Sequence, residues 1–198
     1  MSGPEEWATT THVWAAEVDR AHLEQVRAQL GVGAAAGGRR HLILEVLAYA
    51  DDEAAALGRT GRVRVERRAD GSVCVDDDGR GTDTRRDDRG RVIRKPVMAT
   101  QGVRFADEGS APPLPDGLPR RGLSTVAALS RVLVHENHRA EGAWSQTYRS
   151  GVPDAALASV APRGYTGTRV EFWADVAGPS EVTAADLSAY EHLVTLLA

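Results

Sequence analysis

Around Gly58 the hydrophobic pattern of the chain changes its period, and that change restricts the fold more than any other feature. From His41 to Leu57 apolar residues recur at helical spacing. Leu42, Val46, Tyr49 and Ala50 share one face, and Leu44 and Leu47 widen the stripe. Gly58 follows in the position where helices end in a left-handed turn. From Arg62 the period is two: Arg62-Val63-Arg64-Val65-Glu66 alternates as a half-buried strand does. Ala69-Asp70-Gly71-Ser72 is a hairpin turn and Val73-Cys74-Val75-Asp76 the returning strand. A helix with a wide apolar stripe beside a hairpin predicts helices packed on one sheet.

The rest of the chain repeats both patterns. Arg20–Leu30 carries Leu23, Val26 and Leu30 at helical spacing, and GVGAAAGG (31–38) is a flexible connector. Residues 82–121 read as a long loop rich in Asp, Arg, Gly and Pro, and loops of that length inside a domain tend to be functional or disordered. Gly122–Leu133 reads as a helix, 135–139 and 144–149 as a hairpin, and Arg169–Trp173 as a strand. Thr183–Ala198 is expected to be a helix with Thr183 as its N-cap. Residues 1–15 are expected to form a loosely docked arm, with a short strand over 12–18. Hairpins beside segregated helices predict an α+β fold, a two-layer α/β sandwich.

Composition narrows the function classes. A length of 198 residues fits one domain. With 24 basic and 28 acidic residues the net charge is −4, which speaks against a protein that coats nucleic acid, so direct DNA binding is not expected. No apolar run approaches the ~20 residues of a membrane span, and no secretory signal opens the chain. Cys74 is the only cysteine, which excludes an intramolecular disulfide and a cysteine-rich metal site and fits a reducing cytoplasm. Among the 24 basic residues only Lys95 is lysine, and Asn137 is the sole asparagine. This bias suggests a high-GC, bacterial coding sequence.

Three features point to chemistry. Glu45 interrupts an apolar helix face. Asp76-Asp77-Asp78 ends a strand and runs into Gly79-Arg80-Gly81, whose two glycines permit a tight turn and close backbone approach to a ligand. Thr166-Gly167-Thr168 places hydroxyls just before the Arg169–Trp173 strand. Singly, each has an ordinary explanation: a solvated helix carboxylate, a turn or weak cation loop, and a second turn.

Together they resemble a known family. HLILEVLAYADDEA (41–54), SVCVDDDGRGTD (72–83), DGLPRRGLSTVAALS (116–130) and GYTGTRVEFW (164–173) are similar to the ATPase domain of DNA gyrase B and of its counterpart in topoisomerase IV. That domain belongs to the GHKL superfamily and has the Bergerat ATP-binding fold, with a mixed, mainly antiparallel sheet. The resemblance spans about residues 22–198. It implies that Glu45 is the general base that activates water. It implies that Asp77 accepts the adenine amino group, that Thr168 shares a water with adenine and Asp77, that Gly81 is the turn glycine behind the base, and that Arg80 lies at the rim. Gly79 belongs to the same turn. Val46, Val75 and Val170 would line or back the base, and Val97-Met98 would form the apolar segment after the first pocket loop.

The departures matter as much. The family's helix motif is E-x-x-x-N, with the Asn on Mg²⁺; here Tyr49 stands four residues after Glu45. A phenol is a poor ligand for a hard cation, so Mg²⁺ is not expected. Asp52 is a weak substitute, a turn further along. The family's phosphate lid reads G-G-L-H-G-V-G; here the stretch is Asp116-Gly117-Leu118-Pro119-Arg120-Arg121-Gly122. Gly117 and Gly122 remain as lid positions, while Pro119 removes a donor and Arg120 or Arg121 would have to contact phosphate by side chain. The family's arm motif PGMYIG is replaced by LGVGAAAGG (30–38). The expected organisation is an arm (1–15) and a nucleotide-binding domain (16–198), without transducer or toprim domains.

Weaker candidates are set aside. His135 and His138 lie three apart on a strand and face opposite sides, so they do not form a metal pair. Arg85, Arg86, Arg89, Arg91 and Arg94 read as a solvated loop, Trp144 and Trp173 as packing, and Ser124 with His135 has no nucleophile motif. The expectation is a stand-alone, degenerate domain that binds ATP or ADP through Asp77 with weak or no hydrolysis. The alternatives are an active Mg²⁺-dependent ATPase with Glu45 as base, or a regulatory module on the same fold that binds an unknown protein partner and no nucleotide.

Overall fold

In the computed structural model, helix α2 (Gly38–Ala56) is buried on nearly every side, from His41 through Ala48 and again at Ala50 and Ala54. An apolar helix hidden all round needs a layer on each flank. One flank is a sheet; the other is formed by shorter helices and loops. The structure describes residues 8–9, 20–31, 37–81, 84–86, 92–94, 113–154 and 157–198.

The elements before the long loop are β1 (Ala8–Thr9), α1 (Arg20–Leu30), α2, β2 (Gly61–Arg67) and β3 (Val73–Asp77). Two short strands lie within it, β4 (Thr84–Arg86) and β5 (Val92–Arg94). Then come α3 (Leu123–Ala128), β6 (Ser130–Arg139), β7 (Gly142–Arg149), β8 (Val152–Pro153) and β9 (Ala158–Ser159). The chain finishes with β10 (Gly167–Ala174), α4 (Ala184–Ser188) and β11 (Leu193–Leu197). The main sheet runs β11-β2-β3-β10-β6-β7-β8, with β9 also paired to β7; β1, β5 and β4 form a separate small sheet. Pairing in the main sheet is antiparallel except for β11 on β2. The expected α+β sandwich with a mixed, mainly antiparallel sheet is therefore present. No helix of the described residues is long and apolar enough to cross a membrane.

Alternation along the strands sorts the two faces. Val63, Val65, Val75, Val170, Phe172 and Leu133 point toward the helices and join Leu42, Leu44 and Leu47 in one core. The opposite face shows Arg62 and Arg64 to solvent and is laced with ion pairs, such as Arg68–Glu171 at 2.5 Å. The helix end at Gly58 is as expected: Leu57 is the C-cap and Gly58 adopts φ 62°.

Two expectations fail. The helix expected over 183–198 stops at Ser188, and residues 193–197 form β11, parallel to β2. Thr183 does cap the helix, in a capping box with Asp186. Beyond it, Asp51 accepts the His192 N–H at 2.9 Å and His192 O accepts the Gly61 N–H at 2.8 Å. These bonds deliver the apolar run to the open edge of β2, where backbone partners outweigh helical spacing. Likewise the helix expected over 122–133 ends at Ala128, because Arg131-Val132-Leu133-Val134 continues as β6. The strand expected over 12–18 and residues 32–36 of the connector lie outside the described residues.

His135 sits on the covered face of β6, edge-on to Trp144 with ring centroids 5.5 Å apart. His138 lies on the other face, 3.4 Å from Glu136. Burial pushes the His135 imidazole down to about 4. At neutral pH both folded and unfolded chains hold it uncharged. As pH falls through the unfolded value near 6.5, only the unfolded chain takes up the proton, so stability is lost. His135→Leu is expected to flatten stability against pH between 6.5 and 4 by up to about 1.4 kcal/mol per pH unit, read by urea unfolding; an unchanged slope would contradict the burial argument.

Candidate functional site

The three consecutive aspartates at the end of β3 point in three directions. Asp76 faces the open side of the sheet, where Arg163 bridges it (2.7 Å) to Glu136 (2.5 Å). Asp78 turns back along β2 and accepts from Arg59 at 3.1 Å and from the Arg62 N–H at 2.8 Å. Burial opposes its charge, but Arg59 and that N–H outweigh burial and lower its pKa. A shared cation loop is thereby ruled out for these residues.

Asp77 alone points to the covered face. Its Oδ1 accepts the Gly79 N–H at 2.8 Å and the Thr168 N–H at 3.2 Å, and its Oδ2 accepts the Thr168 hydroxyl. Burial pushes its pKa up against those bonds. The register explains the pairing: Asp76 lies opposite Arg169, so Asp77 is the neighbour of Thr168. Gly167 makes the approach possible. It adopts φ 147°, and a Cβ there would lie 1.9 Å from Asp77 O. Asn137 is opposite Thr168 on β6 and is fully buried. Gly81, with φ 77°, brings its turn onto β6, since a Cβ there would lie 2.6 Å from Asn137 Oδ1. Asp77, Thr168 and Asn137 thus form a polar row across three strands. Val75 and Val170, opposite each other in register, supply the buried apolar row beside it, and Val46 of α2 is buried as well.

Arg80 ties this turn to α2. Glu53 accepts from Arg80 Nε at 2.7 Å, from Arg80 Nη2 at 3.2 Å and from the Arg80 N–H at 3.3 Å. Tyr49 lies one turn earlier on α2 and is 37% exposed. Burial raises its phenol pKa, and Glu53, Asp77 and Asp52 push the same way. The phenol is therefore a neutral group set among three carboxylates. Asp52 is mostly exposed and bonded to Arg120 at 2.7 Å.

Glu45 is not a solvated helix residue. It is fully buried, and its Oε1 and Oε2 accept the Arg121 and Gly122 N–H groups at 2.5 and 2.8 Å. His41, one turn before it, lies 3.4 Å from Glu45 through Nε2 and 2.8 Å from Asp116 through Nδ1. Burial opposes the His41 charge, but the two carboxylates outweigh it and raise its pKa. Gly117 and Gly122 both have positive φ and shape the loop between Leu114 and α3. Met98, with Lys95 and Val97, lies outside the described residues, as do the side chains of Arg85, Arg86 and Arg94.

Sequence reasoning missed His41, Glu53 and Asn137. The first two stood at helical offsets of −4 and +8 from Glu45, a signal that was available. The place of Asn137 depends on strand register, which spacing alone does not give.

No family model matches the chain. Curated relatives do. Over 161 residues the chain is 39% identical to the DNA gyrase B protein of Mycobacterium tuberculosis, covering 78% of this chain and 23% of the relative. It is 36% identical over 162 residues to a novobiocin-resistant DNA gyrase B protein of Streptomyces niveus, covering 77% and 23%. It is 35% identical over 159 residues to the DNA gyrase B protein of Streptomyces coelicolor, again covering 77% and 23%. The chain thus matches less than a quarter of the length of these relatives.

Gly167→Ala is expected to lower stability by more than about 1 kcal/mol, since the native φ and the Asp77 carbonyl both exclude a Cβ. Chemical unfolding measures this; a variant as stable as the wild type would remove the stated reason for the glycine.

Proposed function

We propose, from the premise that this chain carries a gyrase-B-like domain of the GHKL superfamily, that it binds ATP or ADP at the Asp77–Thr168 end of the sheet and hydrolyses ATP weakly or not at all. The observation that carries the reading is the Asp77–Thr168 pair beside the Val75–Val170 row. A carboxylate acceptor beside an apolar wall suits an adenine ring, whose exocyclic amine donates one hydrogen bond and whose faces are apolar. The Gly79-Arg80-Gly81 turn borders that position, with Arg80 at the exposed rim.

The residues present do not fit a resident Mg²⁺. The family position for a metal-binding Asn holds Tyr49, a neutral phenol, and Asp52 is engaged by Arg120. Mg²⁺ requires several hard oxygen ligands in octahedral array, and among the described residues no group of three His, Cys, Asp or Glu side chains has that arrangement. Glu45 has the acceptor character of a general base, but it is buried and each of its oxygens accepts one N–H group. A base so enclosed must be uncovered before it can activate water.

The supporting experiment is thermal denaturation with nucleotides. ATP, ADP and adenosine are expected to raise the Tm of the wild type, as any ligand of the native state does. GTP is not, because its 6-oxo group faces the Asp77 carboxylate as a second acceptor. Asp77→Asn is expected to abolish the shift. No shift with millimolar ATP sinks the binding reading and favours the partner-binding module.

Tyr49→Asn restores the family's ligand type and is expected to make the ATP shift depend on Mg²⁺, whereas the wild-type shift persists in EDTA. Wild-type turnover of ATP that disappears in Glu45→Ala would instead establish an active ATPase.

A further inference from the structure

Asp116, His41 and Glu45 form a line of three ionisable side chains whose exposures are 4%, 2% and 0%. Nothing in the nucleotide reading requires Asp116. It lies on the loop that leads into α3, and its two oxygens do different work. Oδ1 accepts the Leu118 N–H at 3.1 Å and folds the loop on itself; Oδ2 lies 2.8 Å from His41 Nδ1. His41 Nε2 in turn lies 3.4 Å from Glu45 Oε1, a contact that is an ion pair when the imidazole is protonated. Glu45 closes the circuit by accepting two N–H groups from the same loop, at Arg121 and Gly122. The loop is therefore fastened to α2 at both its ends, once through its own carboxylate and once through its own N–H groups.

We propose that Asp116 is a positioning residue: acting through His41, it holds Glu45 on the Arg121 and Gly122 N–H groups and keeps the loop latched over the carboxylate. The physical basis is charge balance in a dry site. A buried carboxylate is costly unless it is paired and hydrogen-bonded. With the loop in place, the His41 imidazole lies between two carboxylates that favour its protonated form, and the N–H pair supports the second. If the loop lifts, Asp116 leaves with it, and Glu45 loses both N–H bonds in the same event. The surrounding titratable groups are Tyr190, Arg40 and Arg120, each of which feels Glu45, Asp116 or both. Arg120 is itself held by Asp52, so the outer end of the loop has a further tie. The latch makes release of the loop and exposure of Glu45 a single step. Its consequence for nucleotide turnover rests on the reading above; the latch itself does not.

The test is amide hydrogen exchange with NMR titration of His41, in the absence of nucleotide. Asp116→Asn keeps the acceptor for the Leu118 N–H but removes the charge. The Arg121 and Gly122 amides are expected to be protected in the wild type and to exchange at least about tenfold faster in Asp116→Asn, the response of a buried pair that loses one charge, with sheet amides unchanged. The His41 titration midpoint is expected to fall in that variant, which a merely space-filling role for Asp116 would not produce. Glu45→Gln, which keeps the shape and removes the charge, is expected to release the same two amides. Unprotected amides in the wild type, or protection and a His41 midpoint unaffected by Asp116→Asn, would overturn the proposal. An adenosine-induced Tm rise separates the two readings. If it is absent while the exchange behaves as stated, the nucleotide reading fails and the latch stands; if it is present while the exchange does not respond, the latch fails alone.

Discussion

Burial of α2 on nearly every side sets the terms for everything packed around it. A helix that is wet on one flank can turn its charges outward. Over residues 41–48 this one cannot, and Arg40, His41 and Glu45 reach partners supplied by other segments. Arg40 meets Asp186 at the start of α4 through bonds of 2.9 and 2.5 Å. His41 meets Asp116, and Glu45 meets two backbone N–H groups. The backbone takes part too, since Leu44 O accepts the Tyr190 hydroxyl at 2.8 Å. Breaking one buried pair by removing a partner costs on the order of 3–5 kcal/mol. These contacts thus dock the second flank of the helix with a specificity that the apolar side chains alone lack.

The same economy appears at the end of β3. Three identical side chains in a row carry three unrelated duties because a strand alternates its faces and because the turn after it reverses the chain. Asp76 pairs with Arg163 on the open face, Asp78 closes the turn on β2, and Asp77 alone is free of Arg or Lys partners among the described contacts. The neutral donors around Asp77 fix its orientation without pairing it with a cation.

Much of this was legible in the residues. The change of period at Gly58, the hairpin turn at Asp70-Gly71 and the N-cap at Thr183 all appear where the sequence places them, because each has local chemistry with one good solution. The motif residues Asp77, Gly81 and Thr168 were found by resemblance, and strand register explains why they meet. What was not legible depends on long-range competition. Leu193–Leu197 has a spacing that suits a helix, and only the open edge of β2 makes it a strand. Glu45 had an ordinary solvated reading until the loop from a distant part of the chain covered it. His41 was visible at a helical offset, but its second partner, Asp116, is 75 positions away.

The polar row of Asp77, Asn137 and Thr168 joins three strands drawn from widely separated parts of the chain, with β10 inserted between β3 and β6. Pairings at such separations form slowly, since loop closure precedes the contacts that reward it. None of the three residues is a neighbour of another in any local hairpin. The row therefore exists only after the last central strand has entered the sheet. A chain that has collapsed but not yet inserted β10 has its hairpins and helices but not this row, so the row reports the completion of folding rather than the presence of its parts.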